Sequence, residues 1–211
     1  SNAASLGDTS NGTTINGGSL DLLANIGAEA ITLNGGALTS TTGTVSTSGA
    51  IALSAAATIT VASGMTIGGG ISGAGRLTKA GAGSLTLTSS NSYSGGTTIS
   101  AGTLILSGSG TVGAATNSLT IASGATLDIR RTYDLVVSAL SMSGTASITN
   151  STGSASSLTV NGIAGLTGSV TTKNDQTYNG IATLQGNTTL TSTNGSITFA
   201  DQVHSSVDKS Y

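Results

Sequence analysis

One pattern constrains this chain more than any other: apolar residues come in pairs two positions apart, and the pairs recur along nearly its whole length. Ile31 and Leu33, Ile51 and Leu53, Ile59 and Val61, and Met65 and Ile67 open the series. Leu85 and Leu87, Leu104 and Leu106, Leu119 and Ile121, and Leu127 and Ile129 continue it. Leu135 and Val137, Leu140 and Met142, Leu158 and Val160, and Ile197 and Phe199 complete it. Residues two apart share a face of a strand, so each pair points one way and its Thr or Ser neighbours point the other. Turn residues separate almost every pair, as at Asn34-Gly35-Gly36, Ser63-Gly64, Ser123-Gly124, Asn161-Gly162 and Asn194-Gly195. The pattern predicts many short strands joined by tight turns.

The strands follow one another at intervals of about 6–10 residues, and similar stretches return after about 20. "SGAIALS" (Ser48–Ser54) follows "AEAITLN" (Ala28–Asn34) at about that interval, and "ASGMTI" (Ala62–Ile67) and "ASGATL" (Ala122–Leu127) are near-copies. An all-β solenoid fits this: about three short strands per coil, successive coils stacked in parallel at roughly 4.8 Å, and roughly ten coils in a rod of about 45–50 Å. One coil is too small to fold alone, so stability must belong to the stack.

Composition supports a thin, ladder-rich interior. The chain of 211 residues has no Trp and one Phe, so aliphatic side chains must reach across the whole core. It also has no Pro, which would remove a ladder hydrogen bond. Ser and Thr supply about a third of the residues and charged residues only 7%. Disordered chains combine low hydrophobicity with high net charge, whereas here the mean hydropathy is +0.24 and the net charge is −2. Six Lys and Arg argue against nucleic acid, which needs a clustered basic face. No polybasic or amphipathic helix suits a membrane surface, and no apolar run approaches the ~18 residues of a membrane span. Aromatics at 2% do not furnish the girdles of a transmembrane barrel. With no Cys, disulfides, Cys–zinc sites and cysteine nucleophiles are excluded. Ser1-Asn2-Ala3 reads as the scar of a cleaved expression tag, leaving residues 4–211 as a single solenoid segment expected to be internal to a longer chain.

Two stretches carry a family resemblance. "GAGRLTKAGAGSLTLTSSNSYSGGTTISAGTLIL" (Gly73–Leu106) closely resembles the autotransporter-associated β-strand repeat of bacterial passenger regions, through "LTKAGAGSLTL", "NSYSGGTTI" and "AGTL" in that order. "GSVTTKNDQTYNGIATLQGNTTLTSTNGSITFADQV" (Gly168–Val203) is similar to repeats of large haemagglutinin-like exoproteins. The resemblance implies a right-handed parallel β-helix, exported by a Gram-negative bacterium to its surface or to the medium. It implies an adhesin or a stalk, with host-surface or matrix glycans or proteins, or other bacterial cells, as partners, and with the rest of the passenger at both ends. An absence of Cys fits a chain that crosses an outer-membrane pore unfolded.

The chemistry-bearing residues yield no catalytic, cofactor or metal site. Gly68-Gly69-Gly70-Ile71-Ser72-Gly73 satisfies GxGxxG, yet no helix pattern follows, so these are expected to be turn glycines. His204, the sole histidine, stands beside Asp201 and Asp208 near the end of the sequence and reads as solvated. The acids Asp8, Asp21, Glu29, Asp128, Asp134, Asp175, Asp201 and Asp208 are scattered, and Asp128 and Asp134 with Arg130 and Arg131 read as an exposed ion-pair patch. Tyr93, Tyr133 and Tyr178 could form a sugar platform, but the matching "NSYSG" and "QTYNG" contexts of Tyr93 and Tyr178 favour a repeated structural position. Asn91, Asn150, Asn161 and Asn194 are candidates for internal Asn ladders. The sequons at Asn11, Asn150, Asn187 and Asn194 arise readily by chance in so Thr-rich a chain.

The expected function is therefore non-catalytic: a rigid stalk or an extended binding face. A carbohydrate-active β-helix enzyme is the alternative, and it needs a groove of acids that the sequence scarcely provides. An ice-binding solenoid is a third reading, suggested by Thr58-Ile59-Thr60 and Thr189-Leu190-Thr191, but their spacing is too uneven for one flat face.

Overall fold

The structure, a computed structural model, describes residues 11–206, so Ser1-Asn2-Ala3, Asp8 and Asp208 lie outside the described residues. Every apolar pair named above falls within a strand, and all inter-strand ladders are parallel. The chain winds through three faces in turn. The first face carries Thr13–Asn16, Ile31–Asn34, Ile51–Leu53 and Ile71–Gly73, then Leu135–Val137, Leu158–Val160, Gln176–Tyr178 and Ile197–Phe199. The second begins Ser19–Asp21, Ala37–Ser40, Ala57–Val61, Leu77–Ala80, Thr97–Ile99, Ser118–Ile121 and Ala139–Met142. The third runs through Thr44–Thr47, Gly64–Ile67, Ser84–Leu87, Thr103–Ser107, Thr126–Arg130 and Ser147–Thr149. The second and third faces merge where Ala164–Thr172 and Ala182–Ser192 run unbroken through their shared corner, giving one 16-stranded sheet. Counting passes through the faces gives ten coils from Thr13 to Ser205: an all-β solenoid, as the sequence predicts.

Register explains how uneven repeats make a regular interior. On the second face Leu38, Ile59, Lys79, Ile99, Ile121 and Met142 stand one above another, and beside them run Ala57, Leu77, Thr97, Leu119, Leu140, Ala164 and Ala182. On the third face Val45, Met65, Leu85, Leu104, Leu127, Ile148, Val170 and Leu190 form the equivalent column. The aliphatic members are buried, apart from half-buried Leu190 near the last coil, and each column continues the apolar surface of the layer before it. Corners of different length absorb the sequence irregularity while the strands keep step. Half-buried Ile15 and Leu20 in the first described coil, and Leu184 and Phe199 towards the last, mark where the described stack thins.

The first face breaks once. Between Ile71–Gly73 and Leu135–Val137 two coils cross it without strands. Side chains replace the missing ladder bonds there: Asn91 Oδ1 accepts the Ile71 amide at 2.8 Å, and Asn91 and Thr111 exchange three further bonds of 2.7–3.0 Å. Tyr93 fits inside because its neighbours in the adjacent coils are glycines: Ser94 donates to the Gly73 carbonyl and Ala114 to the Tyr93 carbonyl, which sets Tyr93 between Gly73 and Gly113. A Cβ on Gly113 would lie 2.9 Å from the Tyr93 ring, so only glycine leaves room for it.

Candidate functional site

Two kinds of surface could carry function, the outer columns and the hollows between them. Outward residues keep register as faithfully as inward ones. On the second face Thr58, Thr78, Thr98, Thr120 and Ser141 form one hydroxyl column. On the third, Ser84, Thr103, Thr126, Ser147, Ser169 and Thr189 form another. The neighbouring column on that face is broken by Ile105 and Asp128. Thr58 and Thr60 belong to the second face and Thr189 and Thr191 to the third, so the two TxT stretches share no surface. The uneven spacing expected to keep such threonines out of register is absorbed at the corners.

Open hollows of about 660 and 620 Å³ lie at opposite ends of the rod. Asn25, Gly27, Thr44 and Ser46 line the first, and Thr145, Thr167, Gly186 and Asn187 the second. Both linings are uncharged and rich in hydroxyl and amide groups.

The candidate residues from the sequence are dispersed by the fold. Among the described residues no three His, Asp or Glu side chains converge as metal ligands would. Gly68, Gly69 and Gly70 form a turn between a third-face and a first-face strand, as expected, whereas Ile71, Ser72 and Gly73 are that first-face strand itself. His204 is exposed and bonds Gln202 at 2.9 Å, while Asp201 accepts the Gln202 amide. Asp21 and Asp175 each accept an amide from the next coil, Thr41 and Ser196, and Glu29 accepts the Thr13 hydroxyl at 2.7 Å. Hydrogen bonds from Thr41, the largest influence, and from Thr39 hold Asp21 below the usual carboxylate range.

The expected ion-pair patch needs correcting. Asp128 and Arg130 do pair at 2.7 Å, but Asp128 is buried, because the Asn150–Ser154 turn folds over it and Ser151 donates both its amide and its hydroxyl. Burial pulls its pKa upward; the bonds from Ser151 and Arg130 together outweigh that and leave it lowered. Arg131 is not in the patch. It is buried and donates to the carbonyls of Gly110, Tyr133 and Asp134, closing the corner that leads back to the first face.

Tyr93 and Tyr178 are fully buried on the first face, which rules out a sugar platform and agrees with a structural position. Thr97 Oγ1 donates to the Val112 carbonyl at 2.9 Å and receives the Tyr93 hydroxyl at 2.6 Å. Tyr178 donates to Gln176 and stacks on Phe199 with ring centres 5.0 Å apart. Tyr133 alone is out in solvent, at 64% exposure. Of the four asparagines, Asn161 forms a ladder, with Asn179 at 3.0 Å, but on the exterior. Asn91 is the buried one and pairs with Thr111; Asn150 bonds within its own turn; Asn194 donates its backbone amide to Lys173.

Several interior polar residues escaped the sequence reading, among them Lys79, Thr97, Asn117 and Gln176, each essentially inaccessible. Lys79 takes an inward ladder position between Ile59 and Ile99, and its ammonium donates to the carbonyls of Ala80, Gly81 and Ala101 at 2.8, 2.8 and 3.0 Å. Burial lowers its pKa to about 8. Its two-residue alternation with Leu77 was the available signal.

These features define a parallel β-solenoid with a mainly aliphatic interior and hydroxyl-rich sides. Residues 77–106 match the family described as passenger-associated-transport-repeat, so this stretch is a repeat of the kind the sequence resemblance names. No curated protein and no solved structure matches the chain. The matched segment spans parts of the fourth and fifth coils and contains Lys79, Tyr93 and Thr97.

Proposed function

We propose that this chain is a structural and interaction segment of an exported bacterial passenger, a rigid stalk or extended binding face displayed on or released from a Gram-negative cell. In this reading residues 4–211 form one solenoid unit within a longer exported polypeptide. The observation that carries it is the second-face ladder, which passes without interruption from Ser19–Asp21 to Val203–Ser205 and includes the segment that matches the passenger repeat. A stack of this kind makes length and stiffness from nearest-neighbour contacts alone. Its outer columns offer neutral hydroxyls at a spacing of about 4.8 Å, suited to many weak hydrogen bonds with an extended glycan or a matrix protein.

A glycan and extracellular-matrix array with the purified chain tests the adhesive half of this reading. Binding that is lost when Thr78, Thr98 and Thr120 are changed together to alanine supports an adhesive face; a blank array leaves the stalk. Reproducible cleavage of pectin, alginate or a similar polysaccharide would overturn both in favour of a carbohydrate-active enzyme.

A further inference from the structure

We propose that a notch in the eighth coil, at the corner between the second and third faces, binds an uncharged carbohydrate. This rests on the adhesive half of the function proposed above, and gives it a place that the second-face columns do not supply. The notch arises from one short corner between two long ones. Ser141, Gly165 and Thr183 stand in one column, and Ser147, Ser169 and Thr189 in another. Between those columns the seventh coil spends residues 142–146 and the ninth residues 184–188, but the eighth only residues 166–168. The longer corners bulge past the shorter one and become walls about 9.6 Å apart, backbone to backbone, with the eighth coil as a recessed floor. This is the origin of the open hollow of about 620 Å³, a volume within the ~300–1,000 Å³ of small-ligand sites.

The lining chooses the ligand. Gln185 and Asn187 project from the ninth coil, exposed, and among the described residues no group bonds either side-chain amide. Thr145 and Thr189 add hydroxyls. Amide and hydroxyl side chains both donate and accept, as a sugar hydroxyl does. No charged residue lines the notch, so an anion or a cation would give up its hydration for no counter-charge. A peptide would need a side-chain pocket or an open strand edge, and the floor strand, Ala164–Thr172, is already paired on both sides. Gly144 and Gly186 leave the walls bare, which lets a ring approach the backbone. Gln185 also reaches across the second face, where a Cβ on Gly165 would lie 3.0 Å from its Nε2. There it borders a smaller hollow of about 200 Å³ edged by Ile163, which is 66% exposed. A polar notch beside an exposed aliphatic side chain suits a sugar, whose hydroxyls and C–H groups lie on the same ring.

An array of neutral and charged oligosaccharides and matrix proteins, followed by saturation-transfer NMR on the hits, tests the site with the purified chain. Q185A/N187A removes the two amides of the notch. T78A/T98A removes hydroxyls of the second face in the fourth and fifth coils, away from it. Circular dichroism checks that both variants keep the β fold. The expected result is a neutral oligosaccharide held equally by the wild type and T78A/T98A, with affinity about tenfold lower in Q185A/N187A. Binding that Q185A/N187A leaves intact, or that T78A/T98A abolishes, would overturn the notch; the second case would move the contact to the second face and keep the adhesive reading. A chain that binds charged glycans or matrix proteins but no neutral sugar would also overturn the notch and leave the adhesive reading standing. A blank array would end both.

Discussion

The second and third coils, Ile31–Ile67, and the next three, Ile71–Arg130, solve the same packing problem differently. In the earlier pair each face carries a strand and the core columns are filled mostly by Ile, Leu, Val and Met. In the later three the first face loses its strand twice, and Lys79, Asn91, Tyr93, Thr97 and Asn117 enter the interior. The regular region is held mainly by buried apolar area, with Ser40 and Thr47 of the second coil standing where the third has Val61 and Ile67. The irregular region adds particular polar bonds, some within a coil, as from Tyr93 to Thr97, and some between adjacent coils, as from Lys79 to Ala101 and from Asn117 to Tyr93. A uniform stack gains stability from sameness and loses specificity by it. The segment that matches the passenger repeat, residues 77–106, falls within the irregular region.

The largest expected effect concerns backbone crowding. Gly81 and Gly35 both have positive φ, +78° and +73°, but a Cβ on Gly81 would collide with the Val61 carbonyl whereas nothing lies within 4 Å of one on Gly35. Gly81→Val should abolish cooperative thermal unfolding followed by circular dichroism. Gly35→Ala should cost only about 1–2 kcal/mol, the ordinary penalty of a left-handed backbone. Equal effects would erase the contrast between the two regions. Next comes Ile59→Ala in the regular column, expected to lose about 2–5 kcal/mol in denaturant titration because its tightly packed neighbours cannot close the cavity.

Proton linkage gives a third contrast. Burial lowers the Lys79 pKa from 10.5 to about 8, so the stability it contributes is complete above pH 10.5 and is lost as pH falls towards 8. Burial raises Tyr93 and Tyr178 above their ordinary 10.0, so their contribution is present below pH 10 and is lost as pH rises beyond it. Melting temperature should therefore climb from pH 8 to 10 and fall above that, and K79M should keep the fall without the climb. A flat profile would mean that Lys79 is solvated. The smallest effect is Tyr93→Phe, which removes one buried hydrogen bond to Thr97 and should cost about 0.5–1.5 kcal/mol at unchanged fold.

Strands whose inward positions are aliphatic pairs were legible in the sequence, and all of those pairs lie in strands. Strands such as Leu77–Ala80, Thr97–Ile99 and Gln176–Tyr178 were not, because one inward place is held by Lys, Thr or Gln. Period-two patterning reports burial only through hydrophobicity; a lysine satisfied by carbonyls looks like a surface residue until its coil neighbours are known. The burial of Asp128 was hidden likewise, since the covering Ser151 lies 23 residues away in sequence. The Tyr93 and Tyr178 positions were legible because similar local contexts repeat. The unevenness that seemed to forbid in-register outer columns misled, because corners of different length do not disturb the ladders between them.

Spin-label distances along one outer column test the stacked-coil architecture most directly. Thr58, Thr78, Thr98, Thr120 and Ser141 occupy successive coils on the second face, and Thr183 lies two coils beyond Ser141. Label pairs at Thr58–Ser141 and Thr58–Thr183 should give distances of about 19 and 29 Å, a constant increment near 4.8 Å per coil. Distances that fail to grow with coil number, as in a two-layer sandwich or a closed barrel, would contradict it.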